Sequence, residues 1–365
     1  NLNQLIINKK DLNLIKTYLP SFVEEIKLEK HEIVIKYNKN KFDISGEGNI
    51  LLEDKSDNLS YQILKDKVNL AFDTKVYLKN NSLLLNFLNY EKKANIDSLI
   101  QIKGNLKKNN RLKFELINLK EMNNEISIKG LNLNKDFKIL DIENLNLNYK
   151  NNKNIINNIN LKKKGLNFII EGDSFDASKM IDNIMDNNEK KSSIFYNLNS
   201  KININIKKTY IDKNNYLDNL NGNIDFRNNK IDKLKLESSS SNDKKINLSV
   251  ETKKNLETIT KLSSNYPKPL IERYDFIKGF EDGYLDFYSS KLDGVSNSLL
   301  FIDNFKIKEV PVFAKLLSLA SLQGIADLLT GEGIRFANFE MSFSNKKGIT
   351  TIEEMYAIGP AVSIL

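Results

Sequence analysis

From Glu25 to about Val250 this chain alternates apolar and polar side chains with a period of two, and no proline interrupts it between Pro20 and Pro267. Successive side chains of an extended backbone point to opposite sides, so such alternation specifies strands with one apolar and one polar face. The clearest run is Lys201-Ile202-Asn203-Ile204-Asn205-Ile206. Ile33, Ile35 and Tyr37, then Leu131 and Leu133, then Leu145, Leu147 and Tyr149 follow the same rule. So do Ile224 and Phe226, Leu234 and Leu236, and Ile246, Leu248 and Val250. Proline cannot donate to a ladder and is kept out of central strands, so its absence supports the reading independently.

Between the runs stand Asn109-Asn110, Asn123-Asn124, Asn151-Asn152, Asn214-Asn215 and Asn228-Asn229. Asparagine tolerates left-handed backbone, so these pairs mark hairpin turns. The expected fold is mainly β: an elongated, curled antiparallel sheet, a groove or taco-like repeat, with a few short helices near the C-terminal end. One helix is expected after the caps Asp173 and Ser174, with Ala177, Met180, Ile181, Ile184 and Met185 on one face. Beyond Pro267 prolines and glycines concentrate, so this end needs a more particular shape. Pro269 opens a helix carrying Leu270, Ile271, Tyr274 and Ile277, closed by Gly279. A further, widely apolar helix is expected from about Val310 to Leu322, ended by Gly324.

Chemistry finds little footing. There is no cysteine, which removes disulfides, thiolate metal sites and cysteine nucleophiles together. His31 is the single histidine, read as a solvated strand residue, and supports neither a triad nor a metal site. Gly331-Glu332-Gly333 lacks the third glycine of a dinucleotide loop, Phe336 standing there, and reads as a turn. The adjacent carboxylates Glu281-Asp282 and Glu353-Glu354 would point to opposite faces of a strand, which separates them. Neither enzyme activity, cofactor nor metal is expected. The net charge of +8 comes from scattered lysines such as Lys107-Lys108, Lys190-Lys191 and Lys253-Lys254. A nucleic-acid partner, which needs a concentrated basic face, is not expected.

The longest apolar stretch, Val310 to Leu322, falls short of the roughly 18 residues of a membrane span. Because the chain starts at Asn1 and stops within an apolar run at Leu365, it is expected to be an internal piece of a longer protein. On the order of twenty strands at ~4.8 Å each would make a sheet ~100 Å wide if laid open. Its apolar face must be covered, because exposed apolar area on that scale aggregates, and the helices are too few to do so. Two solutions remain open: the sheet folds on itself as a sandwich or solenoid, or it curls into a gutter whose inner face holds an apolar ligand.

The C-terminal region carries a resemblance. Its marks are Gly294, the strand Leu300 to Ile307 with Phe305, Pro311 with the helix Phe313 to Leu322 including Leu317, and Gly324. They continue with Gly331, Gly333 and Phe336, and end on Gly359-Pro360. Over about Tyr266 to Leu365 this region resembles the AsmA-like family of Gram-negative bacteria, in particular its alphaproteobacterial YhdP-like members. The resemblance implies a periplasmic protein anchored in the inner membrane through an N-terminal segment outside this chain. It further implies a long β-groove that carries phospholipids between the inner and outer membranes without chemistry. On that reading residues 1–164 form a repetitive β-groove region and 165–365 the AsmA-like C-terminal region, continuing the same groove. Acyl chains are then expected against Ile202, Ile204 and Ile206, Ile224 and Phe226, Leu234 and Leu236, and Ile246, Leu248 and Val250. The competing expectation is a self-packed β-solenoid acting as an envelope scaffold or assembly factor.

Overall fold

The computed structural model describes residues 2–8, 25–52, 55–107, 111–185, 195–240, 243–273, 278–309, 333–360 and 363–364. The helix expected from Val310, with Pro311, Phe313, Leu317, Gly324 and Gly331, lies outside the described residues, as do Asn109-Asn110, Tyr274 and Ile277. The chain forms two compact units, Asn1–Met180 with Lys191–Leu198, and Ile181–Lys190 with Asn199–Leu365. Each is an antiparallel meander, so the expected mainly β architecture is what the described residues form.

In the first unit β1 (Leu2–Asn8), β2 (Glu25–Asn38), β3 (Lys41–Leu51), β4 (Ser56–Lys65) and β5 (Asn69–Tyr77) pair in order of sequence. The chain then leaves the sheet through the short hairpin β6 (Leu83–Leu85) and β7 (Tyr90–Lys92). It returns as β8 (Leu99–Lys107), which pairs with β5, and runs on through β9 (Leu112–Glu121) to β10 (Asn124–Leu133). The short β11 (Ile139–Asp141) and the longer β12 (Asn144–Lys150) both pair with β10; β13 (Ile156–Lys164) and β14 (Asn167–Asp176) follow. Turns fit the strands they join. At Lys39-Asn40 (φ 43° and 67°) and Asn228-Asn229 (φ 50° and 65°) both central residues are left-handed, the geometry whose twist matches a two-residue hairpin.

The excursion Leu78–Ser98 is clamped at its neck, where Leu78 N–H donates to the Ser98 carbonyl (2.9 Å) and Ser98 N–H to that of Leu78 (3.1 Å). It buries Leu78, Leu83, Leu88 and Tyr90, and it brings polar groups with it. Buried polar groups persist mostly when hydrogen-bonded, and all but one of these are, the Asn81 Oδ1 standing without a partner. Asp57 accepts from the backbone N–H of Lys79 and Asn80 (2.8 Å each) and of Asn81 (3.1 Å). Lys92, wholly buried, donates to the carbonyls of Lys79 (2.8 Å) and Asn81 (2.7 Å). Burial lowers the pKa of its ammonium, against the pull of Asp57 and Glu121. The Tyr90 hydroxyl donates to Glu121, its ring meets Tyr149 edge-on at 5.5 Å, and the Tyr149 hydroxyl donates to the Leu88 carbonyl (2.9 Å). Burial first, then Glu121, pushes the Tyr90 phenol upward.

The C-terminal end of β14 joins this network. Asp176 accepts from the side chains of Asn89 (3.0 Å) and Asn151 (2.8 Å) and from Ser178 N–H (3.0 Å), with the Lys153 ammonium 3.4 Å away. The last of those N–H bonds makes Asp176 the local cap of α1 (Ser178–Met185). Asp173 and Ser174, expected as caps, lie instead within β14, because pairing with β13 runs as far as Ser174.

The second unit runs β15 (Ser200–Tyr210), β16 (Tyr216–Arg227), β17 (Lys230–Ser239), β18 (Lys245–Thr252) and β19 (Thr258–Ser264), each paired with the next. The short α2 (Lys268–Arg273), with Pro269 in its first turn as expected, leads to β20 (Phe280–Leu292). Then follow β21 (Val295–Ile307), β22 (Ile334–Lys346), β23 (Ile349–Ile358) and the two-residue β24 (Ser363–Ile364).

The packed part of this unit is aromatic. Phe280, Phe305 and Phe336 stack across β20, β21 and β22, with centroids 5.4 and 5.2 Å apart and planes within 18°. Around them sit Ile302, Ile334, Leu285, Phe339 and Ile271 of α2. Strict alternation would not bury both Phe280 and Leu285, Ile302 and Phe305, or Phe336 and Phe339. Each of the three strands takes one extra residue at this level, marked by left-handed Asp282 and Asn304, and the face changes parity there.

Two outcomes test this packing. Phe305→Ala should cost the second unit about 3–5 kcal/mol, read as a lowered denaturation midpoint. Asp176 is the second case. Burial raises its carboxyl pKa, but the Ser178 hydrogen bonds and Lys153 outweigh it and hold the group below its ordinary value. A depressed carboxylate contributes stability above its unfolded pKa of about 3.9 and loses it as pH falls through the folded value. Stability of the first unit should therefore fall on acidification below about pH 4, and Asp176→Asn should flatten that limb of the melting profile.

Candidate functional site

Pairing register carries the alternation of each strand into its neighbours. In the second unit Ile202 faces Ile224, Ile224 faces Leu234 and Leu234 faces Val250. Beside this row, Ile204 faces Gly222, then Leu236, Leu248, Leu262, Phe287, Leu300 and Met341 follow in turn across six more strands. A Cβ at Gly222 would lie only 2.0 Å from the Lys235 carbonyl oxygen, so no side chain fits and the backbones close up. A third row passes from Ile246 through Ser264 and Leu285 to Ile302. Phe226, beyond a bulge, still faces Ile231 and Ser200. All ten apolar residues expected to meet acyl chains thus share one face.

Cover on that face is uneven. Ile206, Leu234, Ile246, Leu285 and Ile302 are buried, while Ile202, Ile204, Ile224, Leu236 and Leu248 are half-buried. Ile352 and Met355 of β23, row-mates of Phe343 and Met341, are 54% and 41% exposed. The opposite face alternates with it: Asn203, Asn205, Lys235, Asn247 and Lys261 are exposed.

The first unit has the same construction. One row runs Ile33, Gly46, Tyr61, Thr74, Ile102, Ile117 and Ile128 across seven paired strands. Its neighbour runs from Ile35 through Ile44, Ile63 and Phe72 to Gly104. Here too cover fails toward one end, with Ile35 63% and Tyr37 61% exposed, whereas Leu147 on β12 is 2% exposed. His31 belongs to this face and is not solvated as expected: it is 1% exposed, donates from Nε2 to the Asn49 carbonyl (2.9 Å) and stacks on Tyr61 at 5.9 Å. The reason lies across the ladder. A bulge between Glu29 and Glu32 turns His31 inward, and Gly48 opposite leaves room for the ring.

A cavity of ≈ 770 Å³ is lined by Gly222, Leu236, Leu248, Leu262 and Phe287 with neighbours in sequence, among them Lys235, Lys261 and Tyr288, and by Phe301 across from Asp286. Residues two positions away on the apolar face, such as Leu234, Val250 and Leu285, take no part in it. A hollow on the apolar face would be walled by those residues. The cavity therefore opens on the polar face, at the level of the row that runs from Gly222 to Phe287.

The C-terminal marks that are described take structural positions. Phe305 and Phe336 form the aromatic stack, and Gly294 turns the β20–β21 hairpin at φ 76°. Gly333 (φ 84°) lies against the Ile307 carbonyl, Gly359 against that of Arg335, and Pro360 follows β23. Glu281 pairs with Lys308 (2.9 Å), while Asp282, Glu353 and Glu354 are exposed. Among the described residues no three acidic, histidine or cysteine side chains gather as metal ligands, and no helix is long and apolar enough to cross a membrane.

Comparison of the chain with protein families, with curated proteins and with solved structures gives no match. The unevenness of cover is open to measurement. Ile35→Ala should change unfolding free energy by no more than about 0.5 kcal/mol, whereas Leu147→Ala should cost about 2–5 kcal/mol.

Proposed function

We propose that this chain is a non-enzymatic lipid-transfer protein, whose apolar sheet faces hold phospholipid acyl chains. The observation that carries the reading is the unbroken row from Ile204 to Met341, one-sided and half-covered along much of its length. Burial of an acyl chain is worth about 0.8 kcal/mol per methylene, so such a chain stays on the face rather than in water. Neighbouring positions in a row are chemically alike, so a chain moves along it without meeting a deep trap. Headgroups keep to the strand ends, where they avoid passing through an apolar medium. The periplasmic setting, the inner-membrane anchor and transfer toward the outer membrane enter through the AsmA-like resemblance of the C-terminal region.

A self-packed scaffold is the competing reading, and the Phe280–Phe305–Phe336 stack favours it locally, since that part of the face already has its cover. Mass spectrometry of lipids extracted from the purified protein separates the two: co-purified phospholipid is expected, and a lipid-free preparation would leave the scaffold. Ile204→Asp should abolish lipid transfer between vesicles while keeping the far-ultraviolet spectrum of a β protein. Asn203→Asp, one residue along on the polar face, should transfer as well as the parent; equal loss in both would refute the assignment of faces.

A further inference from the structure

The apolar face of the second unit changes chemistry in ordered steps along the strands. Leu262, Phe287 and Leu300 stand opposite one another on β19, β20 and β21. Two residues further along each strand the same face presents Thr260, Ser289 and Ser298, again mutually paired, with Ser298 Oγ donating to Ser289 Oγ (2.9 Å). Two residues further still it presents Thr258, Lys291 and Ser296. That outermost row extends in register to Thr252 on one side and to Asn345 and Thr350 on the other. Every member bears a hydrogen-bonding side chain, and Lys291 is its one charge.

Lys291 is exposed and forms no ion pair among the described residues. Glu257, next to Thr258 in sequence, is engaged by the Ser290 hydroxyl (2.7 Å) and Lys253 (3.0 Å). No bulge interrupts β19 or β20 between these rows, so cation, hydroxyl and hydrocarbon follow one another on a single face at about 7 Å per step. That order matches an amphiphile whose phosphate, glycerol ester and acyl chain occur in the same sequence.

We propose that the Thr258–Lys291–Ser296 row is a headgroup shelf: Lys291 takes the phosphate of an anionic amphiphile, Thr260 and Ser289 face its ester region, and Leu262, Phe287 and Leu300 take its chain. The proposal rests on the lipid-holding reading and deepens it by fixing which way the ligand lies. A phosphate on Lys291 gains a charge-assisted hydrogen bond with hydroxyl donors alongside, and it remains at the strand ends, in contact with water.

The experiment compares oleoyl lysophosphatidylglycerol with monooleoylglycerol, which keeps the chain and glycerol but lacks the phosphate. Equilibrium dialysis with the whole chain, below micellar concentrations, should show about fivefold tighter binding of the phosphate-bearing lipid, the effect of one exposed charge pair. Lys291→Ala should erase that preference and leave monooleoylglycerol binding as it was, whereas Lys235→Ala, on the polar face, should keep it. Equal affinity of the parent chain for both lipids overturns the shelf while the lipid-holding reading stands. Binding of neither overturns both. Displacement of the lysolipid by inorganic phosphate at equal concentration would make the shelf a phosphate site and overturn the amphiphile.

Discussion

Everything in this structure depends on the coupling between a two-residue side-chain period and an antiparallel register. A single strand that alternates Ile and Asn has an apolar side but no surface. When its partner is held so that Ile202 meets Ile224 rather than Asn223, the two sides fuse, and repeating this over successive hairpins makes a continuous face. A slip of one residue in any pair would send half the face into water. The two-residue turns at Lys39-Asn40 and Asn228-Asn229 resist such slips, since their geometry leaves the flanking strands only one pairing.

The two units finish their faces by different means. The first folds an excursion of its own chain inward and secures it with polar groups that have left water: Asp57, Lys92, Glu121 and Asp176 each find partners supplied by backbone, amide or phenol. Such a network contributes little net stability but punishes any alternative arrangement, because each unmade bond leaves a buried group unsatisfied. The second unit uses three stacked rings instead, and at that level gives up the regular alternation that organises the rest of its sheet.

Strands, asparagine turns and the shared apolar face were legible in the sequence because each is a local property repeated many times. What escaped notice was set across strands. His31 looked solvated because its own neighbours in sequence are polar, while its burial is decided by Gly48 and Tyr61 on β3 and β4. Asp173 and Ser174 looked like caps because nothing local reveals that pairing with β13 continues to Ser174. The hydroxyl and lysine rows of the proposed shelf were hidden for a related reason: Thr260 and Ser289 occupy apolar-phase positions, and in one strand alone a polar residue there is indistinguishable from noise. Seen in register, three such exceptions line up.

The row that crosses from Ile204 to Met341 has a bearing on how a chain like this grows. Each strand contributes one interchangeable rung at about 4.8 Å, and a rung depends on nothing beyond its two neighbours. Gain or loss of a whole hairpin therefore preserves every remaining row, whereas gain or loss of a single residue inside a strand destroys the row it touches. Reach is a matter of repeat number, open to drift in pairs of strands; at Asp282 and Asn304, by contrast, neighbouring strands must change together or not at all.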